Sequence, residues 1–206
     1  MSKVLVITAS PRGERSVSRS LTTHFAQLWA QQHPQDTVLL RDIGHHPVPH
    51  VTEPWVLGAF APPEAQNAES KAAIAVSDQL VEEFLGADRY IFGVPMYNLN
   101  IPSTFKAYID QIVRAGKTFA VGPNGYEGLV KGKKALFITS SGGSYLPGSA
   151  MASYNFQEPY LRAIFGFMGV TDVTLVAADS MNMGEDAAKI SREKAESKLK
   201  ELATSW

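Results

Sequence analysis

Tyr90-Ile91-Phe92-Gly93-Val94 runs directly into Pro95-Met96-Tyr97-Asn98-Leu99-Asn100-Ile101-Pro102, and that into Ser103-Thr104-Phe105-Lys106-Ala107-Tyr108-Ile109-Asp110-Gln111-Ile112-Val113-Arg114. The opening run is short and apolar, as a buried strand is. The closing run sets Phe105, Tyr108, Ile109 and Ile112 at helical spacing on one face. Between them lies a tight loop with an aromatic ring and an amide. A strand, a loop and a helix in this order make a unit of an open α/β sheet, whose ligand crevice lies outside the carboxyl ends of the strands. An aromatic edge beside amide donors suits a flat ring with a polar rim. The same segment also reads as an ordinary crossover loop.

Working outward, the pattern repeats. Val4-Leu5-Val6-Ile7, Thr37-Val38-Leu39-Leu40, Ala135-Leu136-Phe137-Ile138-Thr139 and Val173-Thr174-Leu175-Val176-Ala177 are further apolar runs. They are nearly continuous and not alternating, which predicts a parallel sheet covered on both faces. Helical segments separate them. Leu21, Phe25, Leu28 and Trp29 mark one, with Ser16 or Ser18 as its N-cap; Ile74, Leu80, Val81, Phe84 and Leu85 mark another. The helix from about Pro102 to Arg114 has Gly116 placed to end it. Tyr160, Leu161, Ile164, Phe165 and Met168 mark a fourth; Ile190, Leu199 and Leu202 lie on a last one from about Glu185 to Ala203. Alternation of this kind implies right-handed crossovers and an α/β, doubly wound five-stranded parallel sheet of flavodoxin-like order 2-1-3-4-5, with helices on both faces. One domain over 1–206 is expected, with a long loop insertion at about 44–67 that holds five prolines, Trp55 and Phe60. Loops of that length are usually functional or partly disordered.

Composition narrows the chemistry. At 206 residues, 45% hydrophobic and 19% charged, the chain can bury a sizeable core. A formal net charge of −1 gives no field to favour nucleic acid or an anionic membrane. The absence of cysteine excludes disulfides, thiolate catalysis and cysteine-held metal centres. The apolar run after Met1 is too short for a signal peptide, and no stretch approaches a membrane span, so a cytoplasmic location is expected.

Three loops carry the candidate chemistry. The loop after the first run, Ser10-Pro11-Arg12-Gly13-Glu14-Arg15-Ser16-Val17-Ser18, joins a strand to a helix N-terminus. Free N–H groups and the helix dipole there attract phosphate, and hydroxyls add donors. Capping by Ser16 alone would not need so many hydroxyls. No Gly-x-Gly-x-x-Gly stands there. Gly116-Lys117-Thr118 imitates the end of a P-loop, but Gln111 replaces the first glycine and a helix precedes it. No Gly-x-Ser-x-Gly elbow occurs. After the fourth run comes Ser140-Ser141-Gly142-Gly143-Ser144-Tyr145, whose glycines admit a flat ligand close to the backbone. His45, His46 and His50 sit in the long loop; solvent-exposed histidines, with no metal, are the expected reading.

Together these loops resemble the FMN-dependent NADH:quinone oxidoreductases known as azoreductases, among the flavodoxin-like quinone reductases. The matching residues are Ser10 and Ser16-Val17-Ser18, Met96-Tyr97-Asn98-Leu99, and Ser140-Ser141-Gly142-Gly143. Pro95-Met96-Tyr97-Asn98, Arg114-Ala115-Gly116-Lys117-Thr118-Phe119 and Glu127-Gly128-Leu129-Val130 look like the family as well. The resemblance spans essentially the whole chain. It implies a non-covalent FMN, its phosphate held by Ser10, Ser16, Ser18 and the backbone at Val17. Met96 to Leu99 would line the ring, with Asn98 at its polar edge, and Ser140 to Gly143 would meet the pyrimidine end. It further implies NADH as electron donor, with NADPH left open by Arg12 and Arg15, and a homodimer with flavin near the subunit interface. Quinones and azo compounds are the implied substrates, reduced by two electrons in ping-pong fashion, with the flavin as the only catalytic group. Phe60, Phe119, Tyr126 and Tyr145 are candidates for the substrate side. A flavodoxin-type electron carrier without its own substrate is the rival reading; a long aromatic loop and a net charge of −1 speak against it.

Overall fold

A computed structural model describes residues 1–123 and 125–206. Five parallel strands form one sheet in the order β2-β1-β3-β6-β7: β1 is Lys3–Thr8, β2 Thr37–Asp42, β3 Arg89–Pro95, β6 Lys134–Ser140 and β7 Asp172–Ala178. Counted in chain order, these are the expected strands in the expected flavodoxin-like order. The period of two splits each central strand between two cores. Leu5, Ile7, Tyr90 and Phe92 face α3 (Ala68–Gly86), α4 (Ser103–Ile112) and α5 (Gln157–Met168). Val4, Val6, Ile91, Leu136 and Ile138 face α1 (Val17–Gln32) and α6 (Glu185–Ser205). Phe92 lies at the centre of the first core, its ring centroid 5.0 Å from both Phe137 and Phe165 and 5.5 Å from Phe105.

Coverage fails at the sheet edge. β2 is one of the two edge strands, each with a single neighbour, and its Leu40 is 70% exposed. A nearly continuous apolar run therefore does not separate an edge strand from a covered one. On α6, Ile190 points to solvent, while Ala195, Leu199, Leu202 and Ala203 form the buried stripe. Helix α4 ends at Ile112, short of Arg114, and Gly116 is not its cap. Gly116 instead serves a turn at φ +75° whose N–H bonds to Phe119 O.

Two elements escape sequence reading. The 44–67 insertion contains α2 (Glu53–Phe60), capped by Thr52 and firmly tied down. Trp55 is buried; its Nε1–H donates to Gln111 Oε1 at 2.8 Å, and Gln111 Nε2 donates to Pro49 O at 2.8 Å. A side chain at Gly58 would come within 2.6 Å of Ser70 O, so α2 lies hard against α3. The second is an antiparallel hairpin, β4 (Phe119–Gly122) with β5 (Gly125–Gly128), outside the main sheet. The apparent nucleotide motif is used up structurally nearby. Thr118 Oγ1 accepts from Arg114 N–H and donates to Ile112 O, and Lys117 pairs with Asp78.

Candidate functional site

The strands point their carboxyl ends at one edge, and the loops that leave them meet there. Ser16 is the N-cap of α1, its hydroxyl accepting from Arg19 N–H at 3.3 Å. Ser18 lies behind it, fully buried, the two hydroxyls 3.3 Å apart. With the Arg19 N–H taken by the cap, the N–H groups of Val17 and Ser18 at the start of α1 have no intrahelical acceptor and are open to an anion.

Ser10, on the loop from β1, is held from several sides. Its hydroxyl lies 3.3 Å from Tyr97 Oη and 3.3 Å from Arg12 N. Its carbonyl accepts from Arg19 at 2.6 Å. Just before it, Ala9 N–H bonds to Gly93 O and Ala9 O accepts from Thr104 Oγ1.

The loop from β3 closes as a miniature hairpin. Tyr97 N–H donates to Asn100 O at 2.8 Å and Asn100 N–H returns to Tyr97 O at 3.1 Å. Its two central residues both have positive φ, +49° at Asn98 and +70° at Leu99, as a type I′ turn demands. Asn adopts that conformation readily; Leu does so at a cost of about 1–2 kcal/mol. One contact braces the strained turn and two more tie down the strand end that leads into it. Leu99 O accepts from Phe156 N–H, and the buried Gln157 Nε2 donates to both Val94 O and Pro95 O. Such strain at a ligand crevice is a functional signature.

The third loop, after β6, is zipped to the segment after β7. Met181 N–H bonds to Ser141 O, Asn182 N–H to Gly142 O and Ser180 N–H to Gly143 O. Both glycines pack closely against side chains of the protein. A side chain at Gly142 would come within 2.6 Å of Asn182 Nδ2, so the space beside Gly142 holds an amide of the protein. Gly143 faces the Tyr145 ring at ordinary contact distance.

The result is a cleft of about 210 Å³ lined by Ser10, Arg12, Ser16, Val17, Pro95, Met96, Tyr97, Ser140, Ser141, Gly142, Met181 and Asn182. Of the sequence candidates, Ser18, Asn98, Leu99 and Gly143 are not among the lining residues; Ser18 is fully buried, and Asn98 and Leu99 form the turn next to Tyr97. Met181 and Asn182 were missed; the signal was there, since a loop must also follow the last strand at the same edge. Larger grooves of about 390, 470 and 570 Å³ flank the sheet edges, but hold none of the free helix N–H groups or the strained turn. The four aromatics expected on the substrate side are not brought together within the chain. Tyr145 adjoins the cleft; Phe119 and Tyr126 cluster with Phe167, at centroid distances of 4.8 and 5.3 Å; Phe60 projects from α2, 72% exposed.

Behind the cleft, Asp42 at the end of β2 takes both terminal nitrogens of Arg19 at 2.6 and 2.7 Å, and His45 Nδ1 at 2.8 Å. Burial pushes the Asp42 carboxyl up, but the bonds from Arg19 and His45 outweigh it and hold the group well below the usual carboxylate range.

The arrangement matches known proteins. The family described as "Flavodoxin-like fold" matches residues 2–203. The chain is 59% identical, over the full length of both chains, to "FMN-dependent NADH:quinone oxidoreductase 2" of Trichormus variabilis. It is 60% identical, again over both full lengths, to "FMN-dependent NADH:quinone oxidoreductase" of a Nostoc species. Its fold is similar to the crystal structure of an azoreductase from Bacillus anthracis (TM-score 0.93, 32% identity, 100% of each chain). It is also similar to an FMN-dependent NADH-azoreductase of that organism solved in complex with FMN (TM-score 0.87, 26% identity, 98% of this chain and 100% of the other).

Proposed function

This chain belongs to the flavodoxin-like family of FMN-dependent NADH:quinone oxidoreductases, and we propose that it works as one FMN-binding domain in which the cleft at the strand ends holds the cofactor. One observation carries the placement. A helix N-terminus with free N–H groups and a strained, polar-edged turn converge at the same sheet edge. FMN has that shape: an anionic end and a flat ring with a polar rim. When bound it supplies the hydride and two-electron chemistry that joins NADH to a quinone or azo compound.

The protein's own groups bind and orient. Ser10 and Ser16 offer hydroxyls and Val17 its N–H to the phosphate, while Ser18 orients the Ser16 hydroxyl. Met96 and Tyr97 flank the ring, and the Asn98-Leu99 turn presents backbone groups at its edge. Ser140, Ser141 and Gly142 face the pyrimidine end, joined by Asn182. Donors held rigidly there stabilise negative charge that grows during reduction. No side chain need act as a nucleophile.

The relatives named as oxidoreductases favour an enzyme over an electron carrier. Val56, Leu57 and Phe60 present an exposed apolar face on α2, and Val121 and Tyr126 another at the β4–β5 hairpin. Surfaces of this kind mark an interface. A homodimer that covers them completes the substrate side with Phe60, Phe119 and Tyr126. An NADH-consuming enzyme acts where NADH is, which supports a cytoplasmic setting.

Dialysis of purified protein against FMN, followed by NADH consumption with and without a quinone, tests the reading. A yellow protein that turns NADH over continuously only when quinone is present is expected. A protein that stays colourless would overturn it.

A further inference from the structure

Arg19 stands where a phosphate ligand would be sought, in the first turn of α1, yet it does not line the cleft. It lines the groove between α1 and β2 instead. Its guanidinium is occupied there, giving both terminal nitrogens to Asp42 and one also to the Ser10 carbonyl. Asp42 is itself fixed, accepting from Gly44 N–H, His45 N–H and His45 Nδ1. Gly44 completes the stack: its N–H also reaches Thr8 O, and a side chain there would overlap the Ser10 carbonyl.

We propose that Arg19 and Asp42 are positioning residues for the FMN phosphate, setting the height of Ser10 opposite the free N–H groups of α1 by geometry and not by charge. The physical basis is the fork. A guanidinium held in two places by one carboxylate has a fixed direction, and the second N–H of one of those two nitrogens is then aimed at one carbonyl. Ser10 then presents its hydroxyl from a backbone that cannot tilt. Arg19 adds little field of its own at the phosphate, because Asp42 neutralises it at contact. This rests on the placement of the phosphate at α1.

The test is fluorescence titration of apoprotein with FMN and, separately, with riboflavin, which lacks the phosphate. The variants are Asp42→Asn, which removes the countercharge, and Arg19→Lys, which keeps the charge but loses the fork. Both are expected to raise the Kd for FMN on the order of tenfold, the scale of losing a group that orients a ligand-binding residue. The riboflavin Kd should stay within about twofold, since nothing at the ring end has moved. Circular dichroism and the thermal midpoint of each apoprotein show whether it is folded, and either folded variant suffices. Tighter FMN binding by Asp42→Asn, or wild-type binding by Arg19→Lys, would mean that Arg19 acts as a charge and would overturn the proposal. Equal weakening of FMN and riboflavin would mean that the pair only supports the fold, and would overturn it too. Ser16→Asp separates the failures: if it leaves FMN affinity unchanged, the phosphate lies elsewhere and the premise is wrong.

Discussion

Asp42 accepts from two side chains and two backbone N–H groups, and this makes its ionised form part of the native structure. Its pKa is depressed from the ordinary 3.8, so its contribution is fully present above that value and is lost as pH falls through the folded one. The unfolding free energy of the wild-type apoprotein should therefore fall more steeply below about pH 4 than that of Asp42→Asn. Parallel pH slopes for the two would show that the carboxylate is not coupled to folding. A second residue-scale expectation concerns Trp55. Replacing it by Phe keeps an aromatic ring but removes the donor to the buried Gln111 Oε1. Leaving that acceptor unpaired should cost about 1–3 kcal/mol in urea denaturation. A change within about 0.3 kcal/mol would mean that Gln111 finds another partner.

The N-terminus of α1 is the element on which the proposed placement of the phosphate turns. Asp caps a helix as well as Ser does, so Ser16→Asp should keep α1 intact. It also places a negative charge where the phosphate is proposed to sit, and FMN affinity should fall at least about tenfold while the apoprotein melts as before. Equilibrium dialysis measures this, and an unchanged Kd would move the phosphate elsewhere. Strand β3 is the element on which stability turns. Phe92 is fully buried within contact distance of Phe105, Phe137 and Phe165. Phe92→Ala should cost about 3–5 kcal/mol by transfer and cavity terms together. A loss under about 1 kcal/mol would mean that the core collapses around the gap. The elements also show what local sequence can and cannot reveal. The central strands were legible because both faces are apolar, and α1 because Ser16 caps an amphipathic stretch. Helix α2 was not, because its order comes from Trp55 and Gln111, residues far apart in sequence. The same holds for the zipper between Gly142 and Asn182, formed by backbone pairing across loops. The residues that line the cleft after the first, third and fourth runs could be read in advance because strand ends dictate where loops meet; the packing of Gly142 and Arg19 could not, because it depends on neighbours brought in by β7 and β2.

At the scale of the whole molecule, the sheet gathers the loops into one cleft, while α2 and the β4–β5 hairpin expose apolar faces that the proposed dimer would cover. Light scattering of the FMN-loaded protein should give the mass of a dimer, and Phe60→Asp should shift it toward monomer by placing a charge in an apolar contact. An active wild-type monomer would contradict that. The central claim is that one cleft serves NADH and the electron acceptor in turn. Anaerobic stopped-flow mixing of FMN-loaded protein tests it most directly. The account predicts that NADH alone bleaches the flavin absorbance at a rate that sustains turnover, and that a quinone added afterwards restores it with no NADH present. Flavin that stays oxidised with NADH until the quinone is added would contradict the claim, since both substrates would then have to be bound together.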